Sequence, residues 1–167
     1  MNTNNHKKGV TLIELVIYMG ILSIILVIFI DMFALLFDKQ LETESNSTVQ
    51  QDSNYILSRL PYEFGRAQSI EIPTTAGATT SSLRLIIDAG IYDYRLSNND
   101  LVVDHDGVTQ QINGYDTTVS NLSFQRLGEN NQNDVVQIKF ILSSKAKKQS
   151  GSEINQFSTT LGVREKP

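Results

Sequence analysis

Hydrophobic residues are concentrated in one segment near the start of the chain. Between Val10 and Ile30, fifteen of the 21 residues are Val, Ile, Leu or Phe, and the only charged side chain is Glu14. An α-helix rises about 1.5 Å per residue, so this run covers roughly 30 Å, the thickness of the hydrocarbon core of a bilayer. The pattern predicts a membrane-spanning helix.

The free energy of membrane insertion favours this helix although it contains a carboxylate. Apolar residues of these types contribute about -0.3 to -0.6 kcal/mol each, or about -4 to -9 kcal/mol for the run. A carboxylate at the bilayer centre costs roughly 2.5 to 3.5 kcal/mol. Glu14 lies near one edge of the run, where this cost is smaller, and Asp31 lies just beyond the other edge. The apolar contribution exceeds the cost of the charge.

The flanking charges predict how the helix is oriented. Lys7 and Lys8 are the only charged residues before it, whereas acidic residues predominate after it. Cytoplasmic flanks carry the excess of Lys and Arg, so we expect a single pass through the cytoplasmic membrane with the N-terminus inside. The alternative is a secretory signal peptide, but its apolar region usually has about 7–15 residues and ends at a small-x-small site. This run is longer, and no Ala-x-Ala follows closely.

The helix is expected to continue beyond the membrane. Residues 31–60 contain neither Gly nor Pro, and Pro61 is expected to stop or kink the helix. At 100° per residue Val49, Ile56 and Leu60 lie within about 40° of one another and form a narrow apolar stripe. The stripe favours packing on the chain's own domain over the seam of a coiled coil.

The remainder of the chain, residues 61–167, has the pattern of a β-rich domain. Val136, Ile138, Phe140 and Leu142 alternate along one face of a predicted strand, and Thr74–Ser82 has the composition of an exposed loop. The predicted strands are Ser69–Ile72, Leu83–Ile87, Tyr92–Leu96, Leu101–Val103, Val108–Ile112, Val119–Arg126, Val135–Leu142 and Phe157–Val163. Asn98 to Asp100, Asp106-Gly107 and residues 128–133 provide hairpin-type breaks between them. The fold class predicted is α+β, a long N-terminal helix whose second half packs on a small antiparallel β-sheet domain.

Composition excludes several classes of protein. The chain has 167 residues with no Cys, 10 Gly and 3 Pro, which excludes collagen-like and disulfide-scaffold proteins and any thiolate metal site. The net charge of -4 argues against a nucleic-acid binder, which usually carries a basic surface. The mean hydropathy of -0.16 averages the apolar segment with a distinctly polar remainder.

Residues that suggest a catalytic or metal site are few. Asp104-His105-Asp106-Gly107 resembles the start of a Ca²⁺ loop, but Val-Thr-Gln-Gln follows and the bidentate Glu is missing. A hairpin turn is the favoured interpretation. His105 is the only histidine outside residues 1–9, and the known nucleophile, zinc and phosphate motifs do not occur. We therefore expect no enzyme activity, no cofactor, no bound metal and no small-molecule substrate.

Lys145, Lys147 and Lys148 form a small basic loop. A solvated loop tip is favoured over contact with DNA or another acidic partner, so no nucleic-acid partner is expected.

Residues 7–18, KKGVTLIELVIY, resemble the class III signal of type IV pilins and type II secretion pseudopilins. The resemblance implies cleavage by a prepilin peptidase between Gly9 and Val10, followed by N-methylation of Val10. Lys7 and Lys8 would anchor the leader at the cytoplasmic face. Glu14 matches the glutamate that, in the family, is thought to pair with the N-terminal amine of a neighbouring subunit.

The resemblance also implies a division of the chain. Residues 1–9 would be a cleaved leader, 10–31 the transmembrane and filament-core helix, 32–60 its continuation, and 61–167 the extracytoplasmic domain. The other partners implied are further pilins or pseudopilins in a filament. Such filaments serve secretion, adhesion or motility, or DNA uptake.

Three departures from the major pilins point to a minor subunit. Asp31 stands where many major pilins have Pro, Val10 replaces the commoner Phe, and there are no cysteines for a C-terminal disulfide loop. The short strands and the closing FSTTLGVRE look most like J-type minor pseudopilins. Asp31 is interpreted as an interfacial residue or as a second polar contact between subunits. The alternative function is a single-span, membrane-anchored binding domain that is never processed.

Overall fold

The computed structural model describes residues 10–128, 134–146 and 151–163. The chain divides into two compact units, with the boundary between Gln40 and Leu41. One helix, α1, extends from Leu12 to Arg66 and contributes to both units. In the described ranges nine β-strands follow it, all in the second unit.

In the first unit, α1 is apolar around its whole circumference. Its large hydrophobic side chains between Leu12 and Phe37 are all exposed. A helix that is hydrophobic on every side is stable in lipid or when other helices surround it. Within the described part of the chain, α1 alone is long and apolar enough to cross a membrane, judged by length and composition.

In the second unit, α1 buries one face. Buried residues recur every three or four positions at Ser45, Val49, Ser53, Ile56 and Leu60, which is the spacing of one helical face. The predicted stripe of Val49, Ile56 and Leu60 therefore packs on the chain's own domain, as expected.

The helix does not stop at Pro61. It continues to Arg66, six residues beyond the predicted boundary at Leu60. The ring of Pro61 is exposed, and the turn that follows is held by burial of Phe64 and by the ion pair of Arg59 Nε with Glu63 Oε1 at 2.8 Å. The tertiary burial of Phe64 and the local ion pair within the helix together offset the helical hydrogen bond that proline cannot make.

The strands form two antiparallel sheets. They are β1 Ala67–Ile72, β2 Thr79–Thr80, β3 Leu83–Ile87, β4 Gly90–Ser97, β5 Asp100–His105, β6 Val108–Gln111, β7 Thr117–Arg126, β8 Val135–Ser144 and β9 Ile154–Gly162. The first sheet has the order β1-β3-β4-β5-β6, and the second has the order β2-β7-β8-β9. The α+β class is confirmed, with two small sheets in place of the single sheet expected. The two-residue strand β2 lies inside the predicted loop Thr74–Ser82.

Two-residue turns join β3 to β4, β4 to β5 and β5 to β6. Their central residues have positive φ: Asp88-Ala89, Asn98-Asn99 and Asp106-Gly107. Such backbone angles match the right-handed twist of a hairpin, and Asn, Asp and Gly adopt them most readily. The second and third turns were predicted. The first was not, because Ala89, with φ of 66°, is an unusual residue at such a position.

The hydrophobic core is contributed by both sheets and by α1. Strand β8 shows the predicted alternation, because Val136, Ile138, Phe140 and Leu142 are all buried while the side chains between them are not. From the first sheet, Leu83, Leu85 and Ile87 of β3 alternate in the same way.

Asp52 attaches the helix to the connection between β6 and β7. Its Oδ2 accepts hydrogen bonds from the backbone N–H of Gly114, at 2.7 Å, and from the hydroxyl of Thr117. A Cβ at position 114 would lie 3.0 Å from both carboxylate oxygens of Asp52, so glycine permits this close approach.

Arg126 joins the two sheets. Its side chain is almost entirely buried, with 4% exposed. Its Nη1 donates to the carbonyl oxygens of Ile70, Pro73 and Thr74 at 2.9–3.2 Å, and its Nε and Nη2 donate to Asp134 Oδ1. A residue of β7 thereby fixes the end of β1, with the guanidinium charge paired.

Asp104 forms a smaller network across β4, β5 and β6. Its Oδ1 accepts a hydrogen bond from the hydroxyl of Thr109, and its Oδ2 pairs with Arg95 at 2.8 Å. The hydrogen bond from Thr109, reinforced by Arg95, holds the pKa of Asp104 below the ordinary value of 3.8, although desolvation acts in the opposite direction.

Arg126→Met is expected to lower the free energy of unfolding of the β-rich domain by about 3–5 kcal/mol, because it leaves the largely buried carboxylate of Asp134 and three carbonyl oxygens without the guanidinium donor. Denaturant unfolding of the full chain in detergent, followed by β-sheet circular dichroism, measures this. Arg84→Met is the matched control: its pair with Asp93 is partly exposed, and its loss should cost about 1 kcal/mol or less. Equal losses would contradict the role of Arg126.

Asp104→Asn is expected to destabilise the domain at neutral pH, and the difference from wild type should shrink as the pH falls below about 3.8. The pKa of Asp104 is lower in the folded state than in the unfolded state. Its stabilising contribution is therefore present above the unfolded pKa and is lost as the pH falls through the folded pKa. Unfolding midpoints measured against pH test this, with the exposed Asp116→Asn as control. A difference that does not vary with pH would contradict it.

Candidate functional site

The candidate site suggested by the sequence lies at the start of α1. Of its residues, Val10 and Glu14 are described by the structure, whereas Lys7, Lys8 and Gly9 lie outside the described residues. Val10 precedes the helix, and 64% of its surface is exposed. Position 10 is therefore on the surface of the lone chain.

Thr11 fixes the first turn of the helix. Its hydroxyl oxygen accepts a hydrogen bond from the backbone N–H of Glu14 at 3.4 Å, and its carbonyl oxygen accepts one from the N–H of Leu15 at 3.1 Å. Thr11 is thus the N-cap, and Thr-x-x-Glu is the spacing of a capping box. A carboxylate in the first turn is also favoured by the helix dipole. The local sequence therefore determines where α1 begins and where Glu14 lies.

Among the residues that the structure describes, one side chain contacts the Glu14 carboxylate. The hydroxyl of Tyr18, one turn further along α1, donates a hydrogen bond to Glu14 Oε1 at 2.7 Å. Tyr18 was not predicted to contact Glu14, although residues four apart on a helix lie on the same face. A carboxylate accepts up to about four hydrogen bonds, so Glu14 keeps capacity for another donor.

The surroundings of Glu14 determine what it can do. Its neighbours Ile13, Leu15 and Ile17 are apolar and exposed. When lipid or apolar helices cover these side chains, a carboxylate among them is costly unless a donor or a cation pairs with it. The site is therefore chemically suited to accept a further hydrogen-bond donor or a positively charged group. Asp31 lies exposed on the same helix, and its two interpretations stay predictions.

The Asp104–Gly107 segment forms the hairpin turn favoured by the sequence. The Asp104 carboxylate is occupied by Thr109 and Arg95, and Asp106 Oδ2 lies 3.2 Å from His105 Nε2. No group of three or more His, Cys, Asp or Glu side chains suited to a metal ion occurs within the described ranges.

His105 is held by contacts within the domain. Its ring stacks on Tyr92 with the centroids 3.9 Å apart, and its Nδ1 lies 3.2 Å from the carbonyl oxygen of Ile91. Position 90 must be small, because a Cβ there would lie 2.8 Å from the ring. These contacts give His105 a structural role. It borders a cleft of about 310 Å³ that also contains the paired residues Arg59 and Glu63.

Part of the predicted basic loop is described. Lys145 Nζ donates a hydrogen bond to the carbonyl oxygen of Tyr115 at 2.6 Å, while Lys147 and Lys148 lie outside the described residues. Lys145 thus stabilises a neighbouring connection.

Comparison with known proteins gives one match. The family described as the prokaryotic N-terminal methylation motif matches residues 4–30, which include Gly9, Val10 and Glu14. Searches of curated proteins and of solved structures found no significant match. The motif supports a type IV pilin-like prepilin that is processed by a prepilin peptidase. Together with the long N-terminal apolar helix and the two small sheets, the motif supports a prepilin- or pseudopilin-type protein.

Proposed function

We propose that this chain is a minor pilin or minor pseudopilin, a structural subunit of a type IV pilus-like or type II secretion filament. The observation that carries the proposal is the methylation motif at residues 4–30, followed by a helix whose large hydrophobic side chains from Leu12 to Phe37 are all exposed. Such a helix requires a covering of lipid before assembly and of other helices afterwards.

The first step of the proposal is removal of the leader. Lys7 and Lys8 keep residues 1–9 at the cytoplasmic face, and the peptidase cleaves the Gly9–Val10 bond. Glycine has no side chain, so the backbone can approach a catalytic site closely. Helix α1 begins at Leu12, which leaves Val10 outside the helix. Cleavage exposes a positively charged amine on Val10, which is then methylated.

The second step is the pairing of Glu14 with the Val10 amine of a neighbouring subunit. Glu14 is the only charge between Val10 and Ile30. Removing one partner of a buried ion pair is strongly destabilising, so a carboxylate that finds its cation only in the filament favours assembly and sets the register of the helices.

The third step concerns the rest of the subunit. Residues 10–31 would lie in the membrane and then in the filament core. Residues 32–66 would continue the helix, and the strands that follow it would belong to the extracytoplasmic domain. The absence of Cys and the Asp at position 31 support a minor rather than a major subunit. The strand-rich sequence that closes with FSTTLGVRE supports a J-type member.

Mass spectrometry of the mature N-terminus tests the processing step. The expected product begins at Val10 and carries one added methyl group. Gly9→Leu should block cleavage, because a bulky side chain obstructs the close approach of the backbone, and the product should then keep residues 1–9. An unprocessed Met1 in the wild-type chain would favour the membrane-anchored binding domain that is never processed. Cleavage beyond Ile30 would indicate a secretory signal peptide.

Replacement of Glu14 tests the assembly step. Glu14→Ala should lower the fraction of subunits linked to neighbouring pilins at least tenfold, which corresponds to a loss of about 1.4 kcal/mol. Disulfide cross-linking between subunits measures this fraction. The chain has no Cys, so a single cysteine introduced in the first two turns of α1 is its one thiol. Exposed Glu71→Ala is the control for a lost carboxylate outside the helix. An unchanged cross-linked fraction would disprove the pairing role of Glu14.

A further inference from the structure

Tyr18 contributes the one side-chain hydrogen bond that the structure shows to the carboxylate of Glu14. Its hydroxyl lies 2.7 Å from Oε1, a short distance typical of a hydroxyl that donates to a charged oxygen. The residues are four positions apart and therefore about 40° apart around the helix, so the contact requires no distortion of α1.

The other hydroxyls of the apolar segment are used differently. Between Val10 and Ile30 the hydroxyl-bearing residues are Thr11, Tyr18 and Ser23. The oxygen of Thr11 accepts from the backbone N–H of Glu14, and the hydroxyl of Ser23 donates to the carbonyl oxygen of Met19 at 2.8 Å. Tyr18 is thus the hydroxyl of this segment that reaches the carboxylate.

We propose that Tyr18 is a positioning residue for assembly, whose hydroxyl holds the Glu14 carboxylate in the orientation that receives the amine of a neighbouring subunit. This inference rests on the proposed function of Glu14. A free Glu side chain loses considerable rotamer freedom when it is fixed in a contact. Because Tyr18 already fixes it in the lone subunit, less freedom is lost when the amine arrives.

The contact leaves room for the incoming amine. Tyr18 occupies one lone-pair direction of Oε1, and a carboxylate has about four acceptor directions. The hydroxyl and the amine therefore bind Glu14 together, and the tyrosine is retained in the assembled pair.

The first experiment tests the contact itself, independently of any filament. The full chain is labelled with ¹³C at Cζ of its tyrosines and is placed in phospholipid nanodiscs, and the Tyr18 signal is assigned by its loss in Tyr18→Phe. In Glu14→Ala this signal should shift, while the signals of the other five tyrosines stay in place. A Tyr18 signal that does not move would overturn the inference without affecting the proposed role of Glu14.

The second experiment tests the positioning role by a double-mutant cycle. Tyr18→Phe keeps the ring and removes the hydroxyl, and it should lower the cross-linked fraction about threefold, the usual effect of one hydrogen bond within a membrane. In the Glu14→Ala background the same substitution should have no effect. Tyr115→Phe, at an exposed tyrosine of the β-rich domain, is the matched control.

The outcomes separate the two proposals. A threefold loss that disappears in Glu14→Ala supports the positioning role. An unchanged or larger cross-linked fraction in Tyr18→Phe, or an equal loss in both backgrounds, would overturn it. If Glu14→Ala itself assembles normally, the proposed function fails, whereas the nanodisc measurement still decides whether Tyr18 binds Glu14.

Discussion

The free-energy cost of removing one carboxylate, that of Glu14, from water constrains how the apolar half of α1 can be covered. Glu14 is the only charge between Val10 and Ile30, and the large hydrophobic side chains around it are exposed in the lone chain. Lipid or neighbouring helices must cover those side chains, and any such covering removes water from the carboxylate as well. The hydroxyl of Thr11 caps the first turn, and the phenol of Tyr18 donates to one carboxylate oxygen of Glu14. Neither group carries a positive charge that would neutralise the carboxylate.

In the second unit, charged groups that are removed from water pair with other groups of that unit. Two of its charged residues with little exposure, Arg126 and Asp52, have partners in the same unit. Arg126 pairs with Asp134 and donates to three carbonyl oxygens, and Asp52 accepts from Gly114 and Thr117. An acidic residue such as Asp52, whose hydrogen-bond donors lie in its own unit, acts as a structural contact. Among the described residues Glu14 has one neutral side-chain donor, which agrees with the contact between subunits proposed for it.

Much of this structure could be predicted because its signals are local. The apolar run predicts the first half of α1, the spacing of Val49, Ile56 and Leu60 predicts the buried face, and the alternation of Val136 to Leu142 predicts β8. The features that could not be predicted depend on residues distant in sequence. Tertiary contacts determine three such features: the division into two sheets, the continuation of α1 through Pro61, and which carbonyl oxygens accept hydrogen bonds from Arg126. At the candidate site, the roles of Gly9, Val10 and Glu14 follow from the motif and stay predictions. The contact of Tyr18 with Glu14 could not be predicted, because it depends on side-chain geometry and not on a motif.

The central claim is that the Glu14 carboxylate pairs with the Val10 amine of another subunit. Solid-state NMR of assembled material measures this distance directly, if subunits labelled with ¹⁵N at the Val10 amine are mixed with subunits labelled with ¹³C at the Glu14 carboxylate. Only contacts between subunits then give dipolar coupling. We expect a coupling that corresponds to a separation of about 4 Å or less, the range of an ion pair. Absence of coupling in filaments whose subunits are processed and fully assembled would contradict it.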